Sequence, residues 1–271
     1  FLAYRRNEDL AAVIEEEKKS APLYDFVSED GIRHQVWRFS QEMSGQIQEL
    51  FLQVPCTYIA DGHHRAASAV KAGLKRRREN PGYTGMEEFN YFLSVLFAED
   101  ELKILPYNRV VKDLNGLTKE EFLERAEEFF LVERPALAPG EDYEPKEKGS
   151  FGLYLEEEWY CLKARPQIRP EGLAEEDPVA ALDVSLLQNY ILDPILGIKD
   201  PRVDHRIDFV GGIRGTGELK RRVHNDMKLA FSMYPTSVEE LFAVADQGLL
   251  MPPKSTWFEP KLRSGLFIHQ I

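Results

Sequence analysis

Apolar residues recur at helical spacing over 7–19, where Leu10, Val13 and Ile14 share one side and Asn7 is placed to cap the first turn. Two β-rich runs, 23–27 and 32–39, flank Ser28-Glu29-Asp30-Gly31 and predict a hairpin. A helix is predicted over 41–52, then a short strand over 57–60. A small-residue helix follows and is broken at Asn80-Pro81-Gly82. The nearly continuous apolar run 89–97 predicts a central buried strand. Residues 103–111 predict another strand, interrupted by Pro106. Thr118-Lys119-Glu120-Glu121 has the form of a capping box and opens an amphipathic helix to residue 130. Residues 135–148 are rich in Pro, Gly and charge and predict a loop. Residues 151–155 and 159–164 predict a hairpin around Glu156-Glu157-Glu158. A helix is predicted over 178–192 with Pro178 in its first turn. Strands are predicted over 207–210, 228–233 and 266–269, and helices over 216–223 and 237–246. Strands and helices mix without strict alternation, and hairpins are frequent. The expected class is therefore α+β, a mixed sheet with flanking helices. One region over 1–271 is expected, with a division into two lobes, 1–140 and 141–271, as the alternative.

Composition narrows this picture. A chain of 271 residues with 43% hydrophobic and 30% charged residues can bury a sizeable core. The formal charge of -12 argues against general nucleic-acid binding, which depends on basic residues facing phosphates. The basic run Lys75-Arg76-Arg77-Arg78 falls where a helix should end and suits its C-terminal dipole. Cys56 and Cys161 stand far apart in unrelated patterns and are expected to be buried free thiols, which fits a cytoplasmic protein. No stretch is apolar and long enough to predict a membrane span, so no membrane partner is expected. The first residues, Phe1 to Tyr4, lack an initiator Met and a signal-peptide layout. They predict a strand whose partner lies upstream. The chain is expected to be the C-terminal part of a longer protein, with its N-terminal segment missing.

The candidate chemistry lies at the turn after residues 57–60. There Asp61, Gly62, His63, His64 and Arg65 follow one another directly. A helix starting at Gly62 leaves its first N–H groups free, with the positive end of its dipole beside them. That is an anion site. Gly62 allows close approach to the backbone, and Arg65 can fork onto phosphate oxygens. His63 and His64 add donors, one facing the site and the other packing or meeting solvent. The plainer reading makes Asp61 an N-cap and leaves the histidines to local hydrogen bonds. All five residues in succession favour function. Adjacent histidines without i, i+4 spacing do not make a zinc helix, so no metal site is expected.

Asp61-Gly62-His63-His64-Arg65 after a short strand resembles the signature of the ParB/sulfiredoxin-like fold, which includes free serine kinases. The resemblance implies that this turn binds nucleotide phosphates and that Asp61 assists transfer to a hydroxyl. Sulfiredoxin needs a cysteine where His63 stands, so cysteine-sulfinate reduction is not implied. The second acid that the serine kinases use as base matches no position here. The whole chain is similar to the domain of unknown function (DUF) 1015 family through "YIADGHHRAASA", "FNYFLSVLF", "ILPYNRVVKDLNGL", "RIDFVGGIRG" and "MPPKSTWFEPKLRSGLFIH".

Lys254, Ser255 and Thr256 follow two prolines and form a second candidate phosphate or carboxylate site that could close the first; core packing of Trp257 and Phe258 is the alternative. Arg109 on a buried strand needs a partner, and Asp183 or Asp208 is expected to supply it, a phosphate contact being the alternative. Asn90 opens the run 89–97, from which it could line a cleft. Three functional readings stand. The first is a nucleotide-dependent phosphotransferase resembling free serine kinases, using ATP or ADP with Mg²⁺ on a small hydroxylated metabolite. Asp61, His63 and His64 would be catalytic, and Gly62, Arg65, Lys254, Ser255 and Thr256 would bind phosphate. The second is a non-catalytic nucleotide- or phosphate-binding regulatory module. The third is a nuclease-like protein, which the acidic charge disfavours.

Overall fold

A computed structural model describes residues 1–270. The chain is α+β and divides into two compact units, one of residues 1–102 and 261–271, the other of residues 103–260.

The first unit begins with β1 (Leu2–Tyr4), α1 (Glu8–Glu17), the hairpin β2 (Tyr24–Val27) and β3 (Arg33–Val36), and α2 (Gln41–Phe51). It continues with β4 (Tyr58–Ile59), α3 (His63–Glu79) and β5 (Leu96–Ala98). Asn7 caps α1 by accepting from the Leu10 N–H at 2.9 Å, as its position in the sequence predicts. Strand β1 is central in a mixed sheet of order β4-β1-β5, antiparallel to β4 and parallel to β5. The partners of β1 therefore lie downstream, which corrects the expectation of an upstream partner. Tyr4, Leu10 and Ala98 form a small core, against which Ile14 of α1 and Ile47 and Phe51 of α2 pack. The run 89–97 is not one buried strand. Residues Glu88–Asn90 form a single 3₁₀ turn, and only Leu96–Ala98 pair, because β1 offers just three residues of parallel register. Tyr91, Phe92 and Leu93 are about half exposed, so the apolar run serves a surface. Residues 266–269, predicted as a strand, form none. Cys56 is exposed, contrary to expectation, and Cys161 is buried with the Tyr143 hydroxyl 2.9 Å from its sulfur.

The second unit opens with β6 (Lys103–Leu105) and β7 (Tyr107–Val111), split at Pro106 as predicted. Then come α4 (Lys119–Glu127), β8 (Phe130–Glu133), β9 (Ser150–Leu155), β10 (Glu158–Ala164) and the single turn α5 (Leu173–Glu176). It ends with α6 (Asp183–Leu187), β11 (Ile207–Gly211), α7 (Gly215–Asn225), β12 (Leu229–Met233), α8 (Val238–Asp246) and β13 (Trp257–Glu259). The capping box expected at Thr118 and Glu121 opens α4, and a second, formed by Ser237 and Glu240, opens α8. The Pro- and Gly-rich stretch 135–148 joins β8 to β9 inside this unit.

Six strands form an antiparallel sheet of order β11-β7-β12-β9-β10-β8. Alternation along each strand decides which layer a side chain enters. Val111, Leu153, Leu155, Leu229 and Phe231 join the main core with Phe122 of α4 and Leu186 and Leu187 of α6. Their neighbours Val110, Tyr154 and Ala230 join a second cluster with Leu219 of α7. The sheet is thus covered on both faces. Burying each large side chain such as Phe122 or Phe231 contributes about 1.5–3 kcal/mol. Instead of one helix over 178–192, α6 covers only Asp183–Leu187 and the next turn, Gln188–Leu192, is wound as a π-helix.

Candidate functional site

Strand β4 delivers the chain to Asp61, and α3 begins two residues later. Gly62 is the N-cap of α3 at φ 82, ψ 29, in the left-handed region that favours glycine. A Cβ there would lie 3.1 Å from Nε and Nη2 of Arg65. The guanidinium is therefore folded back over the start of its own helix. Gly62 supplies no side-chain cap, and the N–H groups of His63, His64 and Arg65 have no acceptor among the described residues. This is the uncapped, positive helix end that the sequence predicts.

Asp61 is not the N-cap. Its Oδ1 accepts from the Gly62 N–H at 2.6 Å, and its Oδ2 faces Lys261 Nζ at 3.2 Å. Burial pushes the carboxyl up, but Lys261, the Gly62 N–H and Arg65 outweigh it and hold its pKa below the usual carboxylate value. Asp61 therefore stays ionised at neutral pH. Arg65 makes no hydrogen bond or ion pair among the described residues, so its donors are available.

A cleft of about 560 Å³ lies here, lined by Asp61, Gly62, Arg65 and the small Ala66 and Ala69 of α3. Phe89, Tyr91 and Phe92 form part of its wall, and the C-terminal stretch adds Arg263, Phe267 and His269. Gly73 lets α3 approach that wall: a Cβ there would meet the Phe89 carbonyl oxygen at 2.8 Å. Arg263 is held by the Ser28 hydroxyl and the Asp30 carboxylate, and His269 lies 2.8 Å from Glu88 Oε2.

His63 and His64 are exposed and do not line the cleft. The Asn90 side chain is engaged with Arg77 and Glu87, while its neighbours Phe89 and Tyr91 line the cleft. Lys254, Ser255 and Thr256 belong to the second unit. The Ser255 hydroxyl donates to the Pro252 carbonyl at 2.7 Å, and the Lys254 ammonium lies over the Tyr107 ring. Arg109 has neither expected partner. Asp183 accepts from the Gly149 N–H, and Asp208 pairs with Arg222, because the β7–β11 register sets Arg109 opposite Phe209. Sequence reasoning missed Lys261, Arg263 and His269. They lie within the family-like stretch 251–269, but its lysine and hydroxyls at 254–256 drew attention to the other end. Among the described residues no group of three or more His, Cys, Asp or Glu could hold a metal ion, and no helix is long and apolar enough to cross a membrane.

The chain matches the family described as Protein of unknown function (DUF1015) over residues 1–185, and it belongs to that family. No curated protein matches it. Among solved structures it is similar to a free serine kinase in complex with AMP, at 14% identity and TM-score 0.36, covering 94% of this chain and 82% of that one. A conserved hypothetical protein from Pyrococcus furiosus gives 15% identity and TM-score 0.37, covering 94% and 85%. Likenesses this distant decide neither ligand nor activity.

Proposed function

We propose that this DUF1015-family protein binds the phosphates of a nucleotide at the start of α3 and transfers a phosphoryl group to a small hydroxylated metabolite. One observation carries the reading. An uncapped helix end, an unpaired arginine folded over it and an ionised aspartate meet in one cleft. The backbone N–H groups of His63, His64 and Arg65 and the Arg65 guanidinium receive phosphate oxygens. The cleft has the volume of a small-molecule site, and Phe89, Tyr91 and Phe92 offer ring faces to a base. Asp61, ionised, accepts a hydrogen bond from the acceptor hydroxyl and orients it toward the phosphate. Mg²⁺, if it accompanies ATP, fits as an ion held chiefly by the phosphates with at most Asp61 from this cleft, since Mg²⁺ commonly binds through one or two carboxylates and substrate oxygens.

A second reading, a nucleotide sensor without transfer, is favoured by one observation: Asp61 is the only carboxylate lining the cleft among the described residues. Release of labelled phosphate from ATP onto a panel of hydroxylated acceptors separates the two. The variant for this assay is Asp61→Asn. Asparagine keeps an acceptor for the Gly62 N–H and loses only a half-exposed ion pair, worth roughly 0–1 kcal/mol. Its melting temperature should stay near that of the unaltered chain while transfer falls at least roughly 100-fold, the scale of a positioned acid–base group. Transfer retained by Asp61→Asn would remove the aspartate from the chemistry. No transfer by the unaltered chain, with binding intact, would favour the sensor.

A further inference from the structure

Arg109 lies in the second unit with 4% of its surface exposed, and among the described residues no carboxylate pairs with it. Its guanidinium donates to the carbonyl oxygens of Tyr107 and Lys254, the latter at 3.1 Å, and lies over the Phe209 ring. Two of its five N–H groups are thereby accounted for. Burial alone pushes its pKa down, to about 10, so the group remains charged at neutral pH. A buried charge without a counter-ion is costly, and proteins normally pair it.

A second orphan borders the same space. Gln188 Oε1 is buried and has no hydrogen-bond partner. Its orientation is fixed, because Nε2 donates to the carbonyls of Ile198 at 2.8 Å and Lys199 at 3.3 Å. Rotating the amide would set its oxygen against two other oxygens. Gln188 opens the π-helical turn after α6, a distortion common at functional sites. Arg109, Gln188 and the buried Ser185 line one cavity of about 340 Å³, within the usual range for small-molecule sites. Arg202, also on its lining, is neutralised by a two-pronged pair with Asp200. One buried, unpaired donor cation and one buried, unpaired acceptor therefore share a cavity, whose lining also includes the exposed Lys199.

We propose that this cavity binds a small organic acid, its carboxylate on Arg109 and a neighbouring hydroxyl or amine donating to Gln188 Oε1. A single guanidinium matches a monoanionic planar carboxylate in charge and shape. A phosphate-monoester dianion has only acceptor oxygens and carries no donor for Gln188 Oε1. The inference rests on the second unit alone and stands apart from the cleft at α3.

The test titrates the full chain with propionate, L-lactate and L-alanine, which share a three-carbon frame and differ by one donor. Lactate or alanine should bind in the millimolar range and at least roughly tenfold more tightly than propionate, a difference of about 1.4 kcal/mol. The better of the two identifies the donor as hydroxyl or amine. Arg109→Met, which keeps the stem and removes the charge, should abolish binding of all three acids. Gln188→Met should reduce lactate and alanine to the level of propionate and leave propionate unchanged. Absence of binding by all three acids overturns the proposal. So does lactate binding that survives Arg109→Met; a melting temperature lowered at the same time would make Arg109 a structural donor to two carbonyls. Should Arg109→Met fail to fold, unchanged lactate and alanine affinities in Gln188→Met would be equally decisive against it.

Discussion

Asp183 keeps a carboxyl in the core of the second unit, where both its oxygens accept from the Gly149 N–H, at 2.9 and 3.0 Å. Burial is the dominant influence and raises its pKa to about 7, with Glu240 adding to the rise while Gly149, Arg169 and Lys148 oppose it. A carboxyl whose folded pKa exceeds its unfolded one binds more protons when folded. Its contribution to stability is thus greatest in acid and is lost as pH rises toward about 7. Asparagine retains an acceptor for Gly149 and cannot ionise. Asp183→Asn should match the unaltered chain in urea unfolding near pH 4 and exceed it at pH 8, by on the order of 1–3 kcal/mol. Identical pH profiles for the two proteins would contradict this account. At the same scale, the start of α3 at Gly62 was legible, because a strand ending in an acid and a glycine before a small-residue run mark the turn. The missing partner of Arg109 was not legible. A sequence shows that a buried arginine needs an anion, but only the β7–β11 register shows that none is supplied.

Elements with local causes were read correctly. The Asn7 cap of α1, the capping box of α4, the break at Pro106 and the β9–β10 turn through Glu156 and Glu157 each follow from a few adjacent residues. Elements set by distant partners were not. Residues 89–97 are apolar enough for a strand, yet β1 pairs only with Leu96–Ala98, and the aromatic remainder lines the cleft. Strand β13 exists because β6 lies opposite, with Phe258 paired to Ile104. Pairing also predicts where stability concentrates. Strands β7, β12 and β9 have partners on both sides within the large sheet, and their core residues are fully buried. The β2–β3 hairpin has a single pairing, and all four residues of β2 are exposed. Hydrogen exchange of the full chain should show the amides of β7, β9 and β12 exchanging at least roughly 100-fold more slowly than those of β2 and β3. Comparable rates would mean that the antiparallel sheet is not the most stable part of the molecule.

For the whole molecule, the α+β class and the family were legible from mixed periodicities and a few contiguous motifs. The division at 102/103 and 260/261 was not, because the return of residues 261–271 to the first unit depends on contacts such as Lys261 with Asp61, 200 positions apart in sequence. The acidic total of -12 also conceals a local reversal at the start of α3, where the helix end and Arg65 are positive. That reversal is the central claim. Calorimetric titration of the full chain with ADP and ATP, alongside Arg65→Ala, tests it most directly. Arg65 has no hydrogen-bond or ion-pair partner among the described residues, so truncating it breaks no such bond there, and lost binding reports on the ligand rather than on folding. A charge-assisted contact of about 1.5–3 kcal/mol predicts that Arg65→Ala weakens nucleotide binding roughly 10- to 100-fold at an unchanged melting temperature. No measurable binding of either nucleotide by the unaltered chain, or equal affinities with and without Arg65, would contradict a phosphate site at this helix end.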